Sequence, residues 1–561
     1  MIDAKKSTKI ILLFVCITVV INLIQSAFTG LIFDEAYYWY FAQNLSWGYF
    51  DHPPMVALLV YIGNHLFDGE LGVRLLSPFL YAANILLLWA LIDDKNKHQY
   101  TWLFVAFISS IGLMVAYGFM ILPDTALLTS SLLFMWAYKR FITQNNSFSV
   151  VLLGISMALV MYSKYHGVLL IVFVLLSNLQ LLRKGKFWVA VVVSLLLYAP
   201  HLVWLQTVDY APLKYHLFDR ANSAYRIKFT LDYLVNCIAI IGLCFPLTYW
   251  AFYKFSAENK FDKALKFLGY GVFIFFLFSS FSRKTQAQWV ILMVIPLIIF
   301  SVRYAYQFEK YRTWLFRISV FSVVLILYLR VALIYQPISP ISYEAYGNKK
   351  WVTELKEKVN GAPVVFHNSY RDAGMYGFYA DTDLVFSSND LDARENQFDL
   401  DDSEFKVRNQ KVAYLTGNHN YLIDSTISVI REFKNHKIRG TFINKFKTYK
   451  KMKLDVAAED FSSNSIPLTF EASLYNPYPE TIQTDSLHYA GMFFNQHKRD
   501  IKVFPLIVET ASRTIKNSET IQLQVKIPDT VQIPEVSYFR MGIVNNGVYP
   551  GFQGEMIKLS N

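Results

Sequence analysis

The sequence predicts a polytopic α-helical membrane protein, of about eleven to thirteen transmembrane helices, with a C-terminal extracytoplasmic α/β plus β-sandwich region. Three observations carry this. The 561 residues are 54% hydrophobic and 17% charged, with 46 Phe and 37 Tyr, and the mean hydropathy is +0.30, a balance that soluble domains rarely show. The apolar runs crowd into residues 10–335, and about 20 apolar residues cross a bilayer. Past residue 335 the chain turns polar and ends in alternating runs such as Ile521 to Ile527, which read as sandwich strands. The expected organisation is a membrane domain at 1–335 with a first outer loop at 33–70, an α/β region at 336–450, and a β-rich domain at 451–561.

In chain order the spans are expected at 10–32, 71–92, 100–122, 124–138, 148–163, 167–182, 187–205, 231–253, 264–282, 286–302 and 314–335. Met1 to Lys9 could pass for the start of a signal peptide, but the following run is long and lacks a small-residue cleavage site, so it reads as an uncleaved first helix. Alternate connections carry Lys5, Lys6 and Lys9; Lys95 and Lys97; Lys139 and Arg140; Arg183, Lys184 and Lys186; Lys254, Lys260 and Lys263; and Arg303, Lys310 and Arg312. Cationic loops stay cytoplasmic. The N-terminus is then cytoplasmic, and an odd number of spans puts the C-terminal domain outside the cytoplasmic (inner) membrane. The net charge of +11 belongs to these loops and implies no nucleic-acid partner. Cys16, Cys237 and Cys244 all lie in apolar spans, so neither a disulfide framework nor a cysteine metal site is expected outside.

The connections expected on the outer face carry the chemistry. "FDEAYYWY" (Phe33 to Tyr40) puts Asp34 and Glu35 directly after an uncharged run, at the start of a short interfacial helix reaching about Leu45. Adjacent acids can be a solvated boundary, but the aromatics, Tyr37 among them, shield the pair, and a shielded carboxylate moves toward general-base strength. In "GYFDHPPM" (Gly48 to Met55), Pro53 and Pro54 hold Asp51 and His52 in a stiff non-helical loop. His52 fits a phosphate or a pairing with Asp34. A divalent metal is left open, with Asp51 and His52 as its candidate ligands, although one Asp and one His fall short of the three or four that a site needs. In "ILPDTALL" (Ile121 to Leu128), Asp124 or Thr125 reads first as a helix cap and second as a catalytic group.

The outer connections also carry cations: Arg74, Lys164, Lys214, Arg220, Arg226, Lys228, Arg283 and Lys284. Each can be a snorkelling anchor. Together, beside carboxylates, they suggest a site for an anion at the outer leaflet, and a lipid phosphate is the obvious one. "YSKYHGV" (Tyr162 to Val168) groups Lys164, Tyr165 and His166, and "SRKTQAQW" (Ser282 to Trp289) groups Arg283, Lys284 and Trp289, all compatible with phosphate. No phosphate-cradling glycine loop of the nucleotide-binding types occurs, and "DLD" (Asp390 to Asp392) reads as a loop. An enzyme working outside lacks nucleotides and needs a lipid-linked donor.

The ordered set "DEAYYW", "GYFDHPPM", "GVRL", "PDTALL" and "SKYHGVLL", followed by "SYRDAGMYGFYADTDLVFSSN" and "RENQFDL", resembles the bacterial branch of the protein O-mannosyltransferase and lipid A aminoarabinose transferase superfamily over residues 1 to about 400. These are polytopic GT-C glycosyltransferases. The resemblance implies a polyprenyl-phosphate-sugar donor, an inverting transfer, and an acidic residue of the first outer loop at the reaction centre, here Asp34. The acceptor is a lipid such as lipid A, a polysaccharide or a protein. In the aminoarabinose branch an Arg stands where this chain has Tyr37, and Glu-Lys stands for Asp51-His52. Losing two cations beside the phosphate argues against aminoarabinose as the sugar. It shifts phosphate binding to Lys164, Arg283, Lys284 or a protonated His52. The alternative, a transporter or flippase of a lipid-linked anion, asks for mid-membrane polar residues and an inverted repeat, and neither is evident.

Overall fold

The computed structural model describes residues 4–219, 224–390, 393–417, 426–457, 461, 467–529, 531, 536–544 and 550–559. The chain divides into two compact units, Met1–Tyr346 and Gly347–Asn561. The first unit extends past the last span because Tyr346 Oη donates to the Ala332 carbonyl at 2.7 Å and Ala345 packs with Ile32, Phe119 and Met120.

Unit 1 is helical. α1 (Ala4–Phe28) is followed by two short helices in the first connection, α2 (Phe33–Gln43) and α3 (Met55–Asn64). α4 (Gly69–Arg74) leads into α5 (Ser77–Leu91), and α6 (Thr101–Ser109) is broken from α7 (Gly112–Ala116). Next come α8 (Pro123–Gln144), α9 (Ser147–Ser163), α10 (Gly167–Ser177), α11 (Gly185–Thr207) and the short α12 (Ala211–Lys214). The unit ends with α13 (Ile227–Ala239), α14 (Phe245–Lys254), α15 (Lys260–Ser279), α16 (Val294–Gln307) and α17 (Glu309–Ile334). Local chemistry sets the boundaries. Pro123 opens α8, where its missing N–H costs nothing. Asn146 and Asn259 cap α9 and α15, each accepting a backbone N–H at 2.9 Å.

Helix occupies every expected span, but the spans differ in kind. Among the described residues five helical stretches are long and apolar enough to cross a membrane: Ala4–Phe28, Gly69–Leu91, Gly185–Thr207, Ala287–Gln307 and Glu309–Ile334. The run expected at 231–253 is instead bent by 96° between α13 and α14. Gly242, at φ +68°, supplies the left-handed residue at that bend. The run expected at 100–122 breaks at Ser110, and the one at 167–182 leaves α-helix after Ser177. α16 is the centre of the unit, buried almost without interruption from Val294 to Val302. At its far end Arg303 is tied to Asp262 (2.6 Å) and Glu258 (2.8 Å). α1, α11 and α17 instead expose Leu, Ile, Val and Phe side chains, as helix faces toward lipid do.

Unit 2 begins with an α/β layer. α18 (Asn348–Val359) precedes β1 (Val364–His367), and α19 (Tyr370–Ala380) crosses to β2 (Val385–Ser388). β3 (Val412–Thr416), β4 (Ile427–Arg431) and β5 (His436–Ile443) complete a sheet of order β2-β1-β3-β5-β4. β1 pairs parallel with both β2 and β3, and β5 pairs antiparallel with β3 and β4. Of the "DLD" stretch, Asp390 sits after β2 with a carboxylate oxygen 3.3 Å from His367 Nε2, and the other two residues lie outside the described residues. Among the described residues the β-rich region forms two four-stranded sheets. One orders Asp500–Pro505, His488–Phe494, Tyr538–Val544 and Ile557–Lys558. The other orders Ile507–Glu509, Thr520–Lys526, Thr469–Tyr475 and Lys453–Val456. In Thr520–Lys526 every second residue is buried, so the side chains of one face meet a shared apolar core.

Candidate active site

The two acids at the start of α2 have different surroundings. Glu35 is fully buried. It accepts from Ile32 N (3.1 Å), Ile121 N (3.0 Å) and Arg74 Nε (2.7 Å), and a second Arg74 nitrogen lies on its other oxygen. Arg74 is equally buried and also donates to the carbonyls of Ser26 (3.3 Å), Thr29 (2.5 Å) and Gly30 (2.9 Å). This corrects two expectations. Arg74 holds no phosphate, because its donors are directed at Glu35 and the end of α1. Glu35 has no accessible oxygen for catalysis and serves as a clamp joining the end of α1, α2, α4 and the segment before α8. Asp34, one residue earlier, is half-buried and lies in the electrostatic range of Asp124.

Asp124 is buried at the start of α8, and Lys164 at the end of α9 reaches it, with Nζ 2.8 Å from both carboxylate oxygens. Asp124 is therefore an ion-pair partner. The capping role falls to Thr125, whose Oγ1 accepts from Leu122 N at 3.2 Å. An ammonium carries three N–H donors, so the carboxylate engages two and a third remains for another acceptor.

The loop between α2 and α3 is built around aromatic packing. Tyr37 packs edge-on against Phe41, with centroids 4.5 Å apart, and Tyr49 stacks on the same Phe41 at 4.4 Å. Tyr49 Oη accepts from Ser46 N (3.0 Å) and donates to the Asn44 carbonyl (3.1 Å). Burial pushes its hydroxyl up to about 12, so it keeps its proton at neutral pH. Tyr49 N donates to the His52 carbonyl at 3.0 Å, closing the turn before buried Pro53. The His52 ring stands 5.6 Å from Tyr38 and 6.4 Å from His216.

His216, just after α12, was not singled out in the sequence. Its Nε2 donates to the Asp51 carbonyl at 2.8 Å, its own carbonyl accepts from Arg283 Nη1 at 3.0 Å, and its ring lies 5.5 Å from Tyr165. It thus connects the Asp51-His52 loop, the Lys164-Tyr165-His166 turn and the Arg283 turn. His201 of α11 adds a further anchor, with Nδ1 donating to the Trp47 carbonyl at 2.6 Å. His166 packs on buried Trp289 with centroids 5.2 Å apart. Lys284 stands apart from this cluster. It is largely exposed, and its nearest acid is Asp232 at 4.0 Å. Arg220 lies outside the described residues. Among the described residues no group of three or more His, Cys, Asp or Glu has an arrangement able to hold a metal, so Asp51 and His52 lack further ligands of these types.

The arrangement gathers a half-buried carboxylate, a buried carboxylate–ammonium pair, histidines and an arginine where α1, α8, α9 and α12 begin or end. That suits proton abstraction next to a bound anion. A family model described as dolichyl-phosphate-mannose-protein mannosyltransferase matches residues 51–204, which include Asp51, His52, Asp124, Lys164 and His166. A curated relative, the lipid A galacturonosyltransferase RgtD of Rhizobium johnstonii, is 24% identical over 293 residues, covering 49% of this chain. The match spans 60% of that relative's length. Among solved structures, ArnT from Cupriavidus metallidurans, bound to undecaprenyl phosphate and in the apo state, aligns with a TM-score of 0.58 at 13% identity. Those alignments cover 77% of this chain and 98% of ArnT. The shared fold and the family match support the GT-C resemblance read from the sequence.

Proposed function

We propose that this chain, a polytopic membrane protein with the GT-C fold, is a glycosyltransferase that moves a sugar from a polyprenyl-phosphate donor to an extracytoplasmic acceptor. The observation that carries this reading is the convergence of Asp34 with the Asp124–Lys164 pair and the His52–His216–Arg283 cluster. The likeness to a structure holding undecaprenyl phosphate supports it. Lipid A, named for the curated relative, is the first acceptor to test, ahead of polysaccharide and protein.

In this reading the donor phosphate lies against Lys164, Arg283 and His52, with its sugar facing Asp34. The acceptor hydroxyl oxygen attacks the anomeric carbon while Asp34 takes the hydroxyl proton. The bond from the anomeric carbon to the phosphate oxygen breaks on the opposite side. Its electron pair leaves with the polyprenyl phosphate, and the configuration inverts. The cations stabilise the charge growing on the phosphate. A phosphate leaves without protonation, so one carboxylate suffices where glycoside hydrolysis needs two. Asp124 positions Lys164, and the Glu35–Arg74 clamp positions Asp34.

The test is turnover of a set of radiolabelled polyprenyl-phosphate sugars by purified protein in lipid, with lipid A as the first acceptor and then a polysaccharide and a protein extract. Wild type should consume one donor, while Asp34→Asn should bind it and turn over about 10²–10⁴-fold more slowly. Equal turnover would remove Asp34 from the chemistry. No consumption of any donor across all three acceptor classes would favour a transporter of lipid-linked anions.

A further inference from the structure

A second polar site lies at the far end of unit 1, outside everything described above. A cavity of about 310 Å³ opens between α6 and α17, lined by Tyr100, Trp102, Leu103, Arg312, Phe316 and Arg317 among others. Ser7, near the start of α1, lies 2.8 Å from Thr101, the first residue of α6. Asp34 follows the other end of α1, a helix of 25 residues and so about 37 Å long. The cavity is therefore a helix-length away from the candidate active site.

The cavity combines two features. Its arginines have no carboxylate partner among the described residues. Arg312 donates one N–H to the Ala305 carbonyl at 3.2 Å and stacks over Tyr100 at 4.2 Å, which fixes the guanidinium plane and leaves other N–H groups of its five available. Arg317 is exposed beside Trp314. The rest of the wall is mixed: Gln99 and Thr313 are polar and Leu103 is buried, while Trp102 at 56% and Phe316 at 41% are exposed, as side chains in contact with acyl chains are. A second cavity, of about 140 Å³, is lined by Val323, Ile326, Leu327 and Arg330 of α17 and by Phe14 and Ile17 of α1. Phe316, Val323, Leu327 and Arg330 recur at steps of seven, four and three, so both cavities lie along one face of α17.

We infer that this crevice is a binding site for one anionic phospholipid, its phosphate on Arg312 and Arg317 and an acyl chain running along α17 toward the second cavity. Charge complementarity selects the headgroup, and basic pockets between membrane helices are the usual seats of such lipids. The inference rests on the membrane character of unit 1 and is independent of the transferase reading.

The test uses the full chain, purified in detergent and stripped of lipid, then titrated with dioleoylphosphatidylglycerol or dioleoylphosphatidylcholine. Bound lipid is counted by native mass spectrometry. Wild type should retain one phosphatidylglycerol in preference to phosphatidylcholine. Each of Arg312→Gln and Arg317→Gln should weaken that retention about tenfold. Thr313→Trp, which fills the cavity and keeps both arginines, should abolish it. Equal retention of the two lipids by wild type overturns the inference, as does unchanged retention in the arginine and Thr313→Trp variants. Glycerol 3-phosphate should not displace the lipid, and displacement at matched concentration would mark a soluble-anion site and overturn the lipid assignment.

Discussion

Two buried ion pairs stand near one another in unit 1, and they differ in what each leaves undone. Glu35 and Arg74 are fully enclosed, and together they engage two backbone N–H groups and three carbonyls. Asp124 and Lys164 engage each other at 2.8 Å and are only nearly enclosed, with side chains 4% and 6% exposed. A pair that engages five backbone groups fixes the path of the chain. A pair with a donor in reserve can pass that donor to a ligand. The same residue chemistry therefore serves structure in one place and, in our reading, substrate in the other.

The largest effect should come from breaking the first pair on one side. Arg74→Met leaves a buried carboxylate and three carbonyls without their donor, so unfolding should become easier by about 3–5 kcal/mol, read as a large loss of thermal stability in detergent. Replacing both members sharpens the contrast. Glu35→Gln with Arg74→Met should stay destabilised, because each orphaned carbonyl costs about 1–3 kcal/mol. Asp124→Asn with Lys164→Met removes both charges and orphans no backbone group. It should unfold within about 1 kcal/mol of wild type while donor turnover falls roughly tenfold or more. Equal stability losses in the two double variants would erase the distinction. Arg283→Ala should weaken donor use by about tenfold with little change in melting temperature. The smallest effect belongs to Lys284→Ala. That side chain is 65% exposed, and turnover should change by less than about threefold. A larger loss would return Lys284 to the phosphate site.

Much of unit 1 was legible because crossing a bilayer demands apolar length. Hydropathy does not report which helices are enclosed. α16 and α17 read alike as apolar runs, yet one is the core and the other is the rim. The bend at Gly242 was hidden too, since a glycine in an apolar run does not announce its φ. At the candidate site, "FDEAYYWY" drew attention to both acids, but Glu35 and Arg74 are 39 residues apart, and no local spacing tells a clamp from a ligand. His216 was missed for the same reason. Its partners come from Asp51 and Arg283, brought together only by the fold. The alternating strands of the sandwich were legible from their period, as Thr520–Lys526 illustrates.

The clamp on Glu35 also sets a direction. Consecutive residues leave a helix about 100° apart, so α2 cannot rotate about its axis without tearing Glu35 from Arg74, Ile32 and Ile121. Asp34, the residue before Glu35, shares that fixed azimuth. In our reading Asp34 is the side chain that meets the substrate, and its buried neighbour bears the duty of pointing it. On that reading the adjacent acids work as a sight and a mount, and exchanging the order of the two residues would keep the composition and lose the aim.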